Sequence, residues 1–525
     1  MAELIEVRPF SFENLKEFLF ENVRSKVQAE QKNHVAYLND YLTKISAKTI
    51  LAEREYVDRD FLEDFSAYYV RCFNEPRRLC VRLHFFSVEV VQADIDAFLK
   101  ALAPDKVKLL QGNYLGFLVV KPLPFTLVGR TCLHTYDDAN GRRFFPVCRE
   151  YEVNLLGVPL KINSLAYQEQ DHVVAACATS ALWSVFQKTG KKFQHAIPSP
   201  VEITKSASLT VPLESRTFPN KGLNTQQIAQ AIRTVGLEPY VTACKSNEEL
   251  VATAYAYLKG AFPVLYGFLQ ADNLVVKGGH AVAVTGYSLG ISKPVSSKQP
   301  KLNGFCLKAF RIDKIYVHDD QIGPNARMVL DPAFANFDMG GGKFEQKESL
   351  TSSVYSGAIR AIDHILFFPL YHKIRIPFSF IQDLISPLDR LLELIRTTMN
   401  TSWAERLEWD IYLTTANDLK QEIMKSTILA EKDRRDILLA RLPRYIWRAS
   451  ATSAGKNAFE FIFDATGIEQ DSLLVHLIVE DKTGVELLVR ALNSMPLAPY
   501  FSASEIWPLI EWLKANNPIP VTSTP

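Results

Sequence analysis

Little in this chain is present in excess. Lys and Arg number 59 against 58 Asp and Glu, a formal net charge of +1, so no global field draws it to nucleic acid or to an anionic membrane. No apolar stretch reaches the ~18 residues of a membrane-spanning helix. The opening residues, MAELIEVRPFSFENLKEFLF, carry acids where a secretory signal carries bases, so a cytoplasmic protein is expected. Cysteine is sparse: positions 72, 80, 132, 148, 177, 244 and 306 form neither a disulfide framework nor a Cys-x-x-Cys metal pattern. Most should be small buried hydrophobes in a reducing compartment, and no metal or cofactor is expected. Internal repeats and low-complexity tracts are absent, which excludes a solenoid. The three glycines Gly340, Gly341 and Gly342 lack the Lys-Ser/Thr signature of a phosphate cradle and read as a mobile loop.

What is there is an ordinary globular composition, 47% hydrophobic and 22% charged. At ~100–200 residues per domain, 525 residues suggest about three domains. Residues 1–155 read as an α/β domain, with helical spacing interrupted by the strand candidate LCVRLHFFSVEV. The strand-like GNYLGFLVVKPLPFTLVGRTCLHTY follows, broken by Pro122 and Pro124. A central domain spans 156–335, and SLGISKPVSSKQPKLNG reads as an exposed insertion between two of its strands. Residues 336–370 read as a glycine-rich loop and connection. Residues 371–525 read as an α+β region, in which IPFSFIQDLISPLDRLLELIRTTM is helical and LPRYIWRASAT, AFEFIFDAT and LLVHLIVED are short strands. The fold class expected of the whole is α+β.

The chemistry concentrates in the central domain, in LAYQEQDHVVAACATSALWSVFQKTG. Ala178, Ala181, Leu182, Val185 and Phe186 recur at helical spacing, so Cys177 opens a helix, with Gly190 and two lysines supplying its end. Unpaired amides at a helix start carry positive partial charge and favour a thiolate. An isolated cysteine on such a helix reads as one more small hydrophobe; three neighbouring features change that. Gln170, and less well placed Gln168, precede Cys177 in an extended segment from which a side-chain amide could donate to the oxyanion of a tetrahedral intermediate. In KGGHAVAVTGYS, Gly278 and Gly279 turn the chain before His280, which stands at a strand entrance as a general base requires. In FRIDKIYVHDDQIG a strand is followed by Asp319 and Asp320, either of which could orient His280. Asp319 is the first choice and Asp320 the alternative acid, strand alternation placing them on opposite faces. The adjacent His318 reads as a surface residue.

The order of Gln, Cys at a helix start, Gly-His strand and acid after the next strand resembles papain-like cysteine peptidases. The branch it looks most like is that of the bacteriocin-processing peptidases, which cut leader peptides. GLNTQQIAQAIRTVGLEPYV matches the helix that this family carries between Cys and His; here Asn224 is a natural N-cap with Gln227 three residues later. The resemblance covers about 165 of the 525 residues. It implies a peptide or protein substrate and hydrolysis of a peptide or isopeptide bond, with Cys177 as nucleophile, His280 as base, Asp319 as orienting acid and Gln170 at the oxyanion. It also implies two alternatives, an acyltransferase or transpeptidase using the same nucleophile and a non-catalytic binding scaffold. The family's acid is often followed by Pro, which makes Asp331, before Pro332, a rival for that role. The flanking regions and the oligomeric state carry no functional signature.

Overall fold

The structure is a computed structural model that describes residues 4–21, 33–100, 104–171, 173–210, 217–218, 222–352, 359–398, 403, 405–467 and 472–515. With 36% helix and 33% strand it is a mixed α and β structure, consistent with the expected α+β class. The chain divides into two compact units. The first is Met1–Asn247, Pro263–Ser288 and Lys314–Leu370; the second is Glu248–Phe262, Leu289–Asp313 and Tyr371–Pro525. The expected border at residue 155 is therefore not a border between units. Phe61, Phe117 and Leu160 share one buried cluster with Trp183, Phe186 and Leu265, so the N-terminal and central regions have a common core.

In the first unit, β1 (Ile5–Pro9), β2 (Thr49–Tyr56), β3 (Cys80–Phe86), β4 (Tyr114–Val120) and β5 (Val128–Leu133) form an antiparallel sheet in chain order. The short β6 (Arg143–Phe144) pairs elsewhere, and β7 (Arg149–Leu155) with β8 (Val158–Ser164) makes a separate hairpin. After β9 (Glu238–Cys244) come β10 (Val264–Asp272), β11 (Val275–Leu289), β12 (Ile312–Asp319), β13 (Gly323–Leu330), β14 (Ala335–Asp338), β15 (Phe344–Lys347), β16 (Leu350–Ser352) and β17 (Ile359–Leu370). Six of these close a barrel in the order β10, β17, β16, β13, β12, β11, with β11 pairing back to β10.

Residues 336–370 are thus not a loop and connection. The glycines turn a hairpin between β14 and β15, and Ile359–Leu370 is a barrel strand whose apolar run, IRAIDHILFFPL, lies largely buried. A strand buried on both faces loses the alternation by which strands are recognised. Residues of the glycine-rich segment beyond Ser352 and before Ile359 lie outside the described residues.

In the second unit, β18 (Glu408–Thr415), β19 (Tyr445–Ser453), β20 (Lys456–Asp464) and β21 (Leu474–Val479) form an antiparallel meander, and the three expected strands are β19 to β21. The helix expected after Tyr371 is Phe378–Thr398. Trp409 and Trp447 are fully buried.

Candidate active site

Cys177 is the first residue of the helix Cys177–Phe193. Its apolar stripe is driven inward: Leu182, Val185 and Phe186 are fully buried, worth roughly 1.5–3 kcal/mol each. Gly190 does not end this helix. A Cβ there would come 2.6 Å from Ile197 Cγ1, so the glycine permits close packing, and the helix continues three residues to a left-handed Gln194. At the other end Ala176 is extended and offers no side-chain cap. The first amides, which a Ser or Asp cap would occupy, are left to act on whatever lies at Cys177.

The approach to the helix is shaped by the buried Asp171. Its Oδ1 accepts from the amides of Val173 (2.7 Å) and Val174 (3.1 Å), its Oδ2 accepts from the Tyr69 hydroxyl at 2.6 Å, and its own amide donates to Ala175. Gln168 is buried, with its amide oxygen 3.5 Å from Lys121 Nζ. Gln170 is half-buried, and its side-chain amide makes no hydrogen bond among the described residues. Gln168 Nε2 is likewise buried without a partner among the described residues, so both glutamines keep an uncommitted amide donor.

His280 lies inside β11, paired with Phe268 of β10, whose ring meets the imidazole edge-on at 5.4 Å. Gly278 and Gly279 do not make the expected turn: they pair with Gln270 and Leu269, and the reversal comes earlier, at the left-handed Asn273 and Leu274. His280 Nε2 is 3.1 Å from Asp319 Oδ1 and 3.8 Å from Asp320 Oδ1. The Cys177 side chain also acts on His280, raising its pKa. Cys177, His280 and Asp319 therefore converge from the central helix, β11 and the end of β12.

Both aspartates reach one imidazole because β12 stops being a regular strand there. The β12–β13 register shifts between Val317 and Asp319, and the chain turns with Ile322 N donating to Asp319 O and Gln321 N to Asp319 Oδ1. Alternation holds only within a regular strand. His318 is buried rather than on the surface, donating from Nε2 to Leu165 O (2.9 Å) while Nδ1 accepts from Asn325 N. Asp331 is engaged elsewhere, with Thr351, Ser349 and Arg360.

The electrostatics follow from this crowding. Burial alone pushes His280 toward neutrality, but the Asp319 charge and hydrogen bond, Asp320 and the nearby Cys177 side chain together hold its pKa well above the ordinary value. Burial would raise Asp319, yet His280 and the Gln321 amide keep it below its ordinary value. Burial dominates at Asp320, pushing it up to about 7 against the pull of His280, with Asp319 adding like-charge repulsion. Its Oδ2 is buried without a partner among the described residues, as is the hydroxyl of Tyr167. His280, Asp319 and Asp320 also offer ligand atoms within 4.8 Å of one another, so these are the residues that could hold a divalent ion.

Residues that motif reading passed over hold the acid turn in place. From the helix Asn33–Lys44, His34 Nε2 donates to Asp320 O at 2.7 Å, the Tyr37 hydroxyl donates to Pro324 O at 2.5 Å, and Tyr41 Oη accepts from Asn325 Nδ2 at 3.0 Å. Gly323, at φ +153°, admits the Tyr37 ring: a Cβ there would come 2.2 Å from Tyr37 Cδ1. The signal in the sequence is HVAYLNDYL, a buried helical stripe in which His34, Tyr37 and Tyr41 carry polar tips at three- and four-residue spacing. The chain matches no protein-family model and no curated protein.

Proposed function

We propose that the first unit is a papain-like cysteine peptidase that hydrolyses a peptide or isopeptide bond through an acyl-enzyme on Cys177. The observation that carries this reading is the single imidazole of His280, bonded through Nε2 to Asp319 at 3.1 Å and close enough to Cys177, at an uncapped helix start, for that side chain to raise its pKa. A central helix beside a barrel is the arrangement such an enzyme needs, the nucleophile coming from one and the base and acid from the other.

With Nε2 donating to Asp319, Nδ1 is the nitrogen left to take the thiol proton. The Cys177 sulfur attacks the carbonyl carbon, and the oxyanion is met by the Cys177 amide and Gln170. The imidazolium then protonates the leaving amine as the C–N bond breaks. Water attacks the thioester carbonyl, giving its proton to His280, and the acid product leaves as the thiol is restored. The raised pKa of His280 favours the imidazolium once the thiol proton has been taken.

Iodoacetamide labelling and peptide hydrolysis, measured on wild type and on Cys177→Ala, test this. Cys177→Ala is expected to leave the unfolding midpoint unchanged and to lower hydrolysis by about 10⁴-fold or more, the order seen when a nucleophile is removed. Labelling that is as fast in the variant as in wild type, or hydrolysis that EDTA abolishes, would overturn the reading; the latter would assign His280, Asp319 and Asp320 to a metal.

A further inference from the structure

We propose that the cavity between the helices Arg59–Ala67 and Pro200–Ala207 seats the substrate, and that it takes a bulky apolar side chain beside a carboxylate. This rests on the peptidase reading of Cys177 and names the substrate class for that site. The cavity holds about 1000 Å³, at the upper end of the ~300–1,000 Å³ of ligand pockets.

Its apolar wall comes from Leu62, Ala67 and Tyr68 on one side and Val201 and Phe218 on the other, with the Tyr68 and Phe218 rings 6.1 Å apart. Ala67, Tyr68, Val201 and Phe218 also pack against Val173, Val174 and Ala175, the residues that lead into Ala176 and Cys177. The segment that delivers the nucleophile is thus packed against the cavity wall. Ala175 and Cys177 are two residues apart, at most ~7 Å of chain. A peptide whose scissile carbonyl is at Cys177 therefore has a neighbouring side chain within reach of the cavity.

The pocket is built in advance. Thr204 Oγ1 donates to Val174 O at 2.6 Å and lies 3.2 Å from Thr179 Oγ1, fastening the Pro200–Ala207 helix to both the approach segment and the nucleophile helix. The Asp64 carboxylate accepts from Val201 N at 3.1 Å, fastening the two cavity helices to each other.

Charge defines the second half of the ligand. Four charged residues line the cavity: Glu63 pairs through Oε1 with Arg59 at 2.9 Å while its Oε2 is buried without a partner among the described residues, and Glu202 accepts from Ser199 N at 2.9 Å. Arg71 and Lys205 are exposed, and their side chains have no partner among the described residues. With Glu63 offset by Arg59, two cations face the single charge of Glu202, so the balance at the cavity is positive, complementary to an Asp or Glu side chain or to a terminal carboxylate.

The test uses the full chain and a quenched fluorescent peptide library scanning the positions around the cleavage site, each peptide made with a free and an amidated C-terminus. Wild type is expected to favour Phe, Tyr or Leu beside Asp or Glu. Equal cleavage of amidated peptides assigns the carboxylate to a side chain, and loss on amidation assigns it to the terminus. The surface double variant R71E/K205E should lower kcat/KM on acidic peptides by about tenfold or more, mainly through KM, and raise it on lysine-bearing counterparts, while iodoacetamide labels Cys177 at the wild-type rate. Unchanged selectivity in a labelled, active double variant overturns the pocket and leaves the peptidase reading standing. If Cys177-dependent cleavage is absent, the peptidase reading fails, and fluorescence anisotropy of the same peptides on Cys177→Ala decides the pocket. Binding weakened by the charge reversal supports it, and no binding, or binding that the reversal leaves unchanged, overturns it.

Discussion

In the second unit Arg448, 5% exposed, is met by Glu460 and Glu422, and Asp410 by Lys259, Lys308 and the Tyr255 hydroxyl. The first unit also has such pairs, Arg130 with Asp60 and Arg82 with Glu53, and in addition buries three histidines and holds them uncharged. His84, His318 and His364 are each pushed by desolvation to about 4, and His134 and His195 are lowered for the same reason. His280, equally buried, goes the other way because two carboxylates face it. A buried ion pair holds its charge over a wide pH range, whereas a buried neutral imidazole does not. The exception among the histidines is therefore where chemistry is to be sought.

The contrast is broken most severely in the second unit by Arg448→Met. It strands Glu460, 7% exposed in its side chain, as an unpaired buried charge, and should cost about 3–5 kcal/mol in urea denaturation. Double replacement with Arg448→Met and Glu460→Leu should recover much of that loss; no recovery would mean that packing, not charge, is what the arginine supplies.

Acid sharpens the contrast. The folded pKa values of His84, His318 and His364 lie below that of a free imidazole, so the unfolded chain binds the extra protons and stability falls as pH drops from 6.5 toward 4. The loss is about 3 kcal/mol per histidine at full protonation. Asp410, held at about 2 against the pull of burial by Lys259 and Lys308, adds no comparable loss in that window. Unfolding followed at successive pH values should show the first unit yielding before the second, and His318→Gln should lessen the dependence. A pH-independent midpoint between 6.5 and 4 would refute the neutral-histidine account.

The smallest effect bears on the site. His34→Ala removes the donor to Asp320 O and should cost about 1–3 kcal/mol. It should lower kcat with KM little changed, and His34→Gln should restore part of kcat. An unchanged kcat in a folded His34→Ala chain would show that the acid turn holds itself.

Cys177, His280 and Asp319 were legible because each lies at a local feature that one-dimensional text records: the start of an amphipathic stretch, a glycine-flanked strand and a polar pair after a β-branched run. Asn224 and Gln227 were legible for the same reason, and both halves of that capping box form. Asp320 was misplaced because its direction depends on where β12 yields to a turn. β17 was missed because burial on both faces erased its period. His34 was missed because its partner is 286 residues away.

The amino-acid sequence by itself determined the local elements and which side chains carry reactive groups, since helix starts, strand periods and turns depend on near neighbours. Only the tertiary structure decided that one imidazole has two acids, that an N-terminal helix holds their turn, and that the N-terminal and central regions share a core. Those facts come from contacts between residues far apart in the chain, which barrel closure and core packing bring together.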